Sequence, residues 1–495
     1  MTPGSDNIFD HDSEDNSRLQ WLWSIRGKAT SGDKGMSESN PGVYECVVIG
    51  GGLSGLIAAR NLHRSGKSVL LLEARDRIGG RMHGRRLASG QWIDLGGQWV
   101  GPTQHRILAL LNEYGVRHFP SPAHGRTVLL FNGDRHEFRG LFQGFYECEV
   151  PGVTDAEWRD VTEAWDRFHA ISASLAPGHP VAGDQNQRLD SDTFARWIDE
   201  NTQTDFGRWY FAYMARAVGF MGPAEPSQVS LLHVLWGQKC APQSEHPDAE
   251  LIHGGAGQVP EKIAAELKDQ IRLNEPVLCI HHHQTGVEIE TAHNRFAARF
   301  TIVATPPHLA GRIRYDPPLP PLRQQLTQRI PMGCLMKILI SYGTPFWREK
   351  GLAGMGIGNR SCFELCADSS DPESGKGVLA TFIVGDRYKR WRPLNEEDRR
   401  LAVLTDLASY FGEEALSPVT YDEADWASDP WAGGGYSAFM PPGVWTGFGE
   451  ALAAPVGHIY WAGSEIAERW GGFFEGALLT GEAAAKAILA KLEGY

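Results

Sequence analysis

A chain of 495 residues, 42% hydrophobic and 22% charged, can bury a sizeable core and exceeds one ordinary domain. It contains no run approaching the roughly 18 apolar residues of a membrane helix. A formal net charge of −13 supplies no general attraction for nucleic acid or anionic lipid, and seven unpaired-looking cysteines read as reduced cytosolic thiols.

Residues 1–42 are rich in Ser, Asp, Asn and Gly and read as a disordered tail. Their acidic start (Asp6, Asp10, Asp12, Glu14, Asp15) lacks the positive flank of a secretory signal, so the expected location is cytoplasmic. Order begins at YECVVIGGGLSGLIAARNLHRSGKSVLLLEA, two apolar strand-like runs around an Ala- and Leu-rich helical segment, which is a βαβ pattern. Gly50, Gly52 and Gly55 form GxGxxG where the first strand turns into the helix, and Glu73 closes the second strand. Those glycines permit a tight turn, close approach to a pyrophosphate and close helix packing, and the carboxylate suits an adenosine ribose. A plain glycine turn would not account for the coincidence of all four features. Ala74 and Arg75 follow, then Gly79, Gly80 and Arg81, a second glycine turn with an arginine suited to a longer diphosphate cofactor. FAD is therefore favoured over NAD.

Across residues 155–213, Trp158, Trp165, Phe168, Trp197, Trp209 and Tyr213 recur at helical spacing, a stripe that reads as core. His281, His282 and His283 are consecutive, so in an extended segment they alternate sides and cannot converge on one ion. Strand-like runs return over 270–305, and Pro306, Pro307, Pro317, Pro318, Pro320 and Pro321 then punctuate a connection out of the first domain. Residues 336–342 are β-like and carry Lys337 in an apolar setting, where a buried ammonium is costly without partners. Function explains it; the alternative is a surface lysine on an edge strand. Cys362 and Cys366 lack further ligands for zinc and read as packed thiols. Asn395 before Glu396, Glu397 and Asp398 marks a helix start, and residues 482–492 are helical. Between them WAGGGYSAF places Gly433, Gly434 and Gly435 in a row, implying backbone against something that leaves no room for a side chain.

With the GxGxxG unit, the segments DLGGQWVGPTQ (94–104), GGAGQVPEKI (254–263), PPLPPLRQQ (317–325), PMGCLMK (331–337), PFW (345–347) and WAGSEIAERWGGFFEGA (461–477) follow in order. In these motifs, and from Tyr44 almost to its end, the chain resembles the flavin-containing amine oxidases, the family of monoamine and polyamine oxidases. The resemblance implies an α/β fold: a Rossmann-type FAD domain (43–118, 249–305 and 446–495) interleaved with a substrate domain of mixed sheet and helices (119–248 and 306–445). It implies that Val277 backbone meets the adenine and that Gly463, Ser464 and Glu465 lie along the ribityl diphosphate. Phe474 would begin the last helix at the flavin, Gly97, Gln98 and Trp99 would border the ring, and Trp426 and Trp431 would flank the site. The glycine run would pass beside the ring.

The same resemblance makes Lys337, Tyr436 and Phe473 the catalytic group. The lysine would hold a water bridging to flavin N5, and the two rings would form an aromatic cage that admits a neutral amine. Phe473 stands where a second tyrosine is usual. Gly435 stands where membrane-bound monoamine oxidases carry the cysteine joined to the flavin, so FAD is expected to be noncovalent. Those relatives continue into a membrane helix, whereas this chain stops at Tyr495. The expected reaction is oxidation of a primary or secondary amine to an imine, hydrolysed to a carbonyl compound, with O2 reduced to H2O2. The expected partners are a small-molecule amine and O2, with neither nucleic acid nor membrane, and a homodimer is compatible. Alternatives are an L-amino-acid oxidase, needing a cation such as Arg106, Arg216 or Arg312 for the carboxylate, and a polyamine oxidase, needing carboxylates. Outside that class stand a flavin-binding interaction protein without turnover and an NAD-dependent dehydrogenase.

Overall fold

The strands β1 (Tyr44–Ile49) and β2 (Val69–Leu72) pair in parallel on either side of helix α1 (Leu53–Arg64), the unit expected from the sequence. Four residues of β1 and all of β2 are buried, which is why both read as continuous apolar runs: this sheet is covered on both faces. The computed structural model describes residues 43–494 except 123, 140–149, 151, 219–221 and 242–247, so the tail expected over residues 1–42 lies outside the described residues.

β1 is flanked on its other side by the parallel strand Arg295–Val303. The sheet continues through the antiparallel strands Gly286–Thr291 and Val277–His283 to Arg314–Asp316, while Ile271–Arg272 lies beyond β2 and Ile459–Trp461 pairs with the end of Arg295–Val303. The strand Arg314–Asp316 thus joins the first sheet although it lies past residue 305, where that domain was expected to hand over. Helix α1 packs against the helices Gln258–Leu267 and Phe474–Glu493, and their apolar faces form one cluster with Val48, Leu71 and Ile302.

A second sheet has seven strands in the order Thr420–Asp425, Leu335–Tyr342, Gly377–Val384, Leu365–Asp368, Leu352–Gly358, Arg126–Phe131 and Asp134–Arg139. Leu335–Tyr342 has antiparallel partners on both sides and every one of its residues is buried, so Lys337 is on no edge strand. The helices Asp155–Ser174, Phe194–Asn201, Asp205–Tyr213 and Leu231–Cys240 supply the core cluster that backs this sheet. The first is started by a capping box, with Thr154 and Glu157 satisfying each other's amides. The aromatic stripe is core, as expected: Trp165 meets Phe168 edge-on at 5.3 Å, and Phe168 meets Trp197 at 5.4 Å.

The six described cysteines are free, Cys362 and Cys366 being buried; Cys148 lies outside the described residues. The three histidines share a strand, and two of them take separate partners, His281 facing Asp316 and Glu290 while His282 contacts the Pro317 carbonyl. Among the described residues no helix is long and apolar enough to cross a membrane.

Candidate active site and cofactor cradle

After Ile49 the chain turns through Gly50, Gly51 and Gly52 into α1. Gly50 has φ of 107°, and a Cβ there would lie 2.7 Å from the Ala304 carbonyl oxygen. A Cβ at Gly55 would collide with the Gly50 carbonyl, so the helix sits directly on the turn. Gly52 differs. No described atom lies within 4 Å of where its Cβ would be, so the space before the helix N-terminus is open. No side chain caps that end, which leaves its amides and positive dipole end facing that space.

Glu73 is buried, and its two carboxylate oxygens accept from the Gly51 amide at 2.6 Å and the Arg75 amide at 2.9 Å. The Glu275 and Asn274 amides donate to the Glu73 and Arg75 carbonyls, which brings the start of strand Val277–His283 to the segment Glu73, Ala74, Arg75. The second glycine turn lies against the first: the Gly79 amide donates to the Gly51 carbonyl at 2.8 Å, and Gly80 backs onto Gly52. Arg81 then reaches across the fold, donating to Glu465 at 2.6 and 3.1 Å, to the Tyr436 carbonyl at 2.8 Å and to Ser464 Oγ at 3.4 Å. Burial pushes the Glu465 carboxyl up, but the Arg81 guanidinium more than offsets this and holds it below the usual range. Gly463, with φ of 147°, is tied through its amide to Thr480 on the last helix. That helix begins at Phe474 without a side-chain cap, and Phe474 presses its ring on Gly97, where a Cβ would lie 2.8 Å from Cζ.

Lys337 is 2% exposed, and its ammonium donates to the carbonyls of Asp94 at 2.6 Å and Gly96 at 2.8 Å and to Gln98 Oε1. Burial drives its pKa well below the ordinary lysine value, and the nearby Asp94 charge opposes that. Asp94 is itself pushed up by burial, against Lys337 and the donors Trp92 and Ala256. The rings of Trp99 and Phe382 stand 5.7 and 5.5 Å from the ammonium. They lie 5.8 Å apart, and Phe382 continues edge-on at 6.0 Å to Tyr436, whose hydroxyl donates to the Ala217 carbonyl at 3.4 Å. Phe473 packs edge-on against Trp470 at 5.2 Å. Gln98 is oriented from behind, its amide donating to Ser369 Oγ at 2.7 Å. Asp94 and Gln98 also line a cavity of about 280 Å3 with Trp92, Phe119, Leu251 and Ser369.

Trp426 is buried with its indole donating to the Leu95 carbonyl, whereas Trp431 is 41% exposed. The glycine run is packed against the chain itself. A Cβ at Gly433 would lie 2.5 Å from His308 Nε2, at Gly434 2.6 Å from Met332 Cβ, and at Gly435 2.8 Å from Leu335 Cδ2. The Gly435 amide also donates to the Gly333 carbonyl at 3.0 Å. What leaves no room for side chains is therefore His308 and the segment leading into the lysine strand. Of the three arginines considered for a carboxylate, Arg106 pairs with Glu482 at the surface and Arg312 donates to the Pro430 carbonyl. Arg216 is half-buried between Glu364 at 2.9 Å and Glu225 at 3.5 Å, next in sequence to Ala217.

A family model described as flavin-containing amine oxidoreductase matches residues 53–489. The chain belongs to that family. Relatives include the L-amino acid dehydrogenase of Synechocystis sp., 64% identical over 448 residues that span 90% of this chain and 95% of that one. The probable flavin-containing monoamine oxidase A of Dictyostelium discoideum is 33% identical over 91% and 98% of the two chains. Among solved structures, the cyclohexylamine oxidase of Brevibacterium oxydans superposes with a TM-score of 0.85 at 31% identity, covering 91% of this chain and 100% of that one. A putrescine oxidase bound to putrescine gives 0.84 at 29% identity, covering 90% and 99%.

The flavin-containing amine oxidoreductase fold explains why the two sheets interleave in sequence, and FAD is the family's cofactor. The residues present fit it. The open space at Gly52, the uncapped start of α1 and the buried Thr305 hydroxyl, which has no hydrogen-bond partner among the described residues, are features a diphosphate cofactor would complete. Gly435 offers no thiol for attachment. Phe382, Ser369 and Thr305 were not legible from the sequence, because each looks like an ordinary residue of its strand or loop until the fold sets Phe382 beside Lys337, Ser369 behind Gln98 and Thr305 against the Gly50 turn.

Proposed function

We propose that this protein oxidises the carbon–nitrogen bond of a small amine to an imine, which water hydrolyses to an aldehyde or ketone. FAD, when bound, supplies the two-electron acceptor, and dioxygen takes up the electrons as hydrogen peroxide. The observation that carries the reading is Lys337, a cation buried beneath the ring row Trp99, Phe382 and Tyr436. In this reading the protein's own work is to bind, desolvate and orient. With the Lys337 charge already buried beneath the row, desolvation and like-charge repulsion disfavour a second ammonium there and so favour the neutral amine. Lys337 keeps fixed donors at the centre of the fold, and Arg81 with Glu465 holds the last helix against the tyrosine loop. The layer built on β1 carries the cofactor, through Gly50, Gly52, Gly55, Glu73 and Arg81, and the layer built on Leu335–Tyr342 carries the substrate. Small-molecule partners and a cytoplasmic site of action belong to the same reading.

A second reading is an L-amino acid as substrate with an acceptor other than dioxygen. The name of the relative at 64% identity, an L-amino acid dehydrogenase, favours it, although Arg216, the arginine adjacent to the carbonyl that receives the Tyr436 hydroxyl, is already paired with Glu364 and Glu225. The test is anaerobic bleaching of the flavin absorbance by a panel of monoamines, diamines and L-amino acids, followed by mixing with oxygenated buffer or a quinone dye. Bleaching by monoamines and rapid recovery in oxygen support the first reading. Bleaching by L-amino acids alone, with recovery through the dye, selects the second, and no bleaching by any substrate rejects both.

A further inference from the structure

His308 follows the strand Arg295–Val303 in the short helix Pro307–Ala310. Among the described residues, both of its ring nitrogens are buried without a full hydrogen-bond partner, as is the Thr305 hydroxyl three residues earlier. The Ala432 backbone lies close enough to the ring to raise its pKa, as a weak acceptor would, without the geometry of a full hydrogen bond. Buried polar atoms are almost always paired, so three orphans within four residues require an account.

Their position gives one. Thr305 sits against the first glycine turn, its methyl 3.1 Å from where a Gly50 Cβ would be. His308 lies on the other flank, its Nε2 2.5 Å from the Cβ position of Gly433, within the field of Arg81 and Glu465. Thr305 and His308 therefore span from the dinucleotide turn toward the Arg81–Glu465 pair. We infer that His308 and Thr305 are ligands of the cofactor, holding its polyhydroxyl and diphosphate stretch between Gly50 and Arg81. Burial, then the Arg312 and Arg81 charges, lower the imidazole to about 4, so at neutral pH it carries one donor and one acceptor. A chain of hydroxyls ending in phosphate oxygens offers both complements. Neither residue belongs to the glycine motif or to the Glu73 contacts.

The inference predicts opposite effects on the empty and the loaded protein. Apoprotein is titrated with FAD, following flavin fluorescence, for the natural chain and for His308→Leu, His308→Asn and Thr305→Val, and each apoprotein is melted without FAD. His308→Leu is expected to bind FAD about tenfold or more weakly while its apoprotein melts at or above the natural temperature, because an uncompensated polar group has been removed. His308→Asn, which keeps a donor and an acceptor, recovers part of the affinity, and Thr305→Val loses a few-fold. FAD affinity within twofold of the natural chain in His308→Leu overturns the inference. So does a lower apoprotein melting temperature, which would mean that the ring serves packing within the chain. A natural apoprotein that fails to bind FAD would instead reject the cofactor itself, an outcome separable from either.

Discussion

Lys337 shows how a costly residue is kept in a core. Its three ammonium protons meet three oxygens of one loop, at Asp94, Gly96 and Gln98, so the loop that borders the aromatic row is shaped by the lysine beneath it. Lys337→Met leaves those acceptors unpaired at about 1–3 kcal/mol each, and a lower melting temperature is expected. Stopped-flow measurement of the two half-reactions should show reoxidation by dioxygen slowed roughly a hundredfold as the buried positive charge is lost, with anaerobic reduction changed far less. Equal loss in both steps would reject an oxidative role. Glu465 makes a different prediction. Its pKa lies below the ordinary carboxylate value, so the unfolded chain takes up the proton first, and its stabilisation is present at neutral pH and lost as pH falls through the depressed value. Glu465→Gln should cost about 2 kcal/mol at pH 7, and melting curves of the two proteins should converge as the pH falls through the depressed value.

The turn between β1 and α1 separates two uses of glycine that a motif alone cannot. At Gly55 a methyl group would strike the Gly50 carbonyl, whereas at Gly52 it would meet only open space. Gly55→Ala should therefore destabilise the apoprotein by about 1–3 kcal/mol and weaken FAD binding with it. Gly52→Ala should leave apoprotein melting within about 0.5 kcal/mol of the natural chain and still weaken FAD binding, by intruding on the cradle. Thermal melting of apoproteins beside FAD titrations checks both. The strand Leu335–Tyr342 makes the complementary point: paired on both sides and buried throughout, it carries one cation because the loop of Asp94 and Gln98 comes from the other end of the chain to receive it.

In the proposed cradle Gly50, Arg81 and Glu465 come from distant parts of the chain and meet only on folding, so the cofactor is expected to bind the folded chain and not its separated pieces. Linkage then requires that FAD raise stability with concentration, by about 2.7 kcal/mol at one hundred times its dissociation constant. A melting temperature that does not move across an FAD titration would contradict that coupling. The interleaving also explains the handover near Pro306 and Pro307: the chain leaves the first sheet there, yet returns to it once more with Arg314–Asp316 before building the lysine strand.

Much of this protein was legible in local pattern. The βαβ unit, the two glycine turns, the lysine on an apolar strand, the aromatic helical core and the final helix all announce themselves through spacing, because a strand's alternation, a helix's period and a glycine's freedom are properties of neighbours in sequence. Packing between distant segments decided the rest. That the glycine run at Gly433, Gly434 and Gly435 is pressed by His308, Met332 and Leu335, that Phe382 completes the row above Lys337, and that Thr305 and His308 have no full hydrogen-bond partner among the described residues are facts of tertiary contact. A residue's partners depend on which surfaces the fold brings together, and short-range pattern carries no record of them.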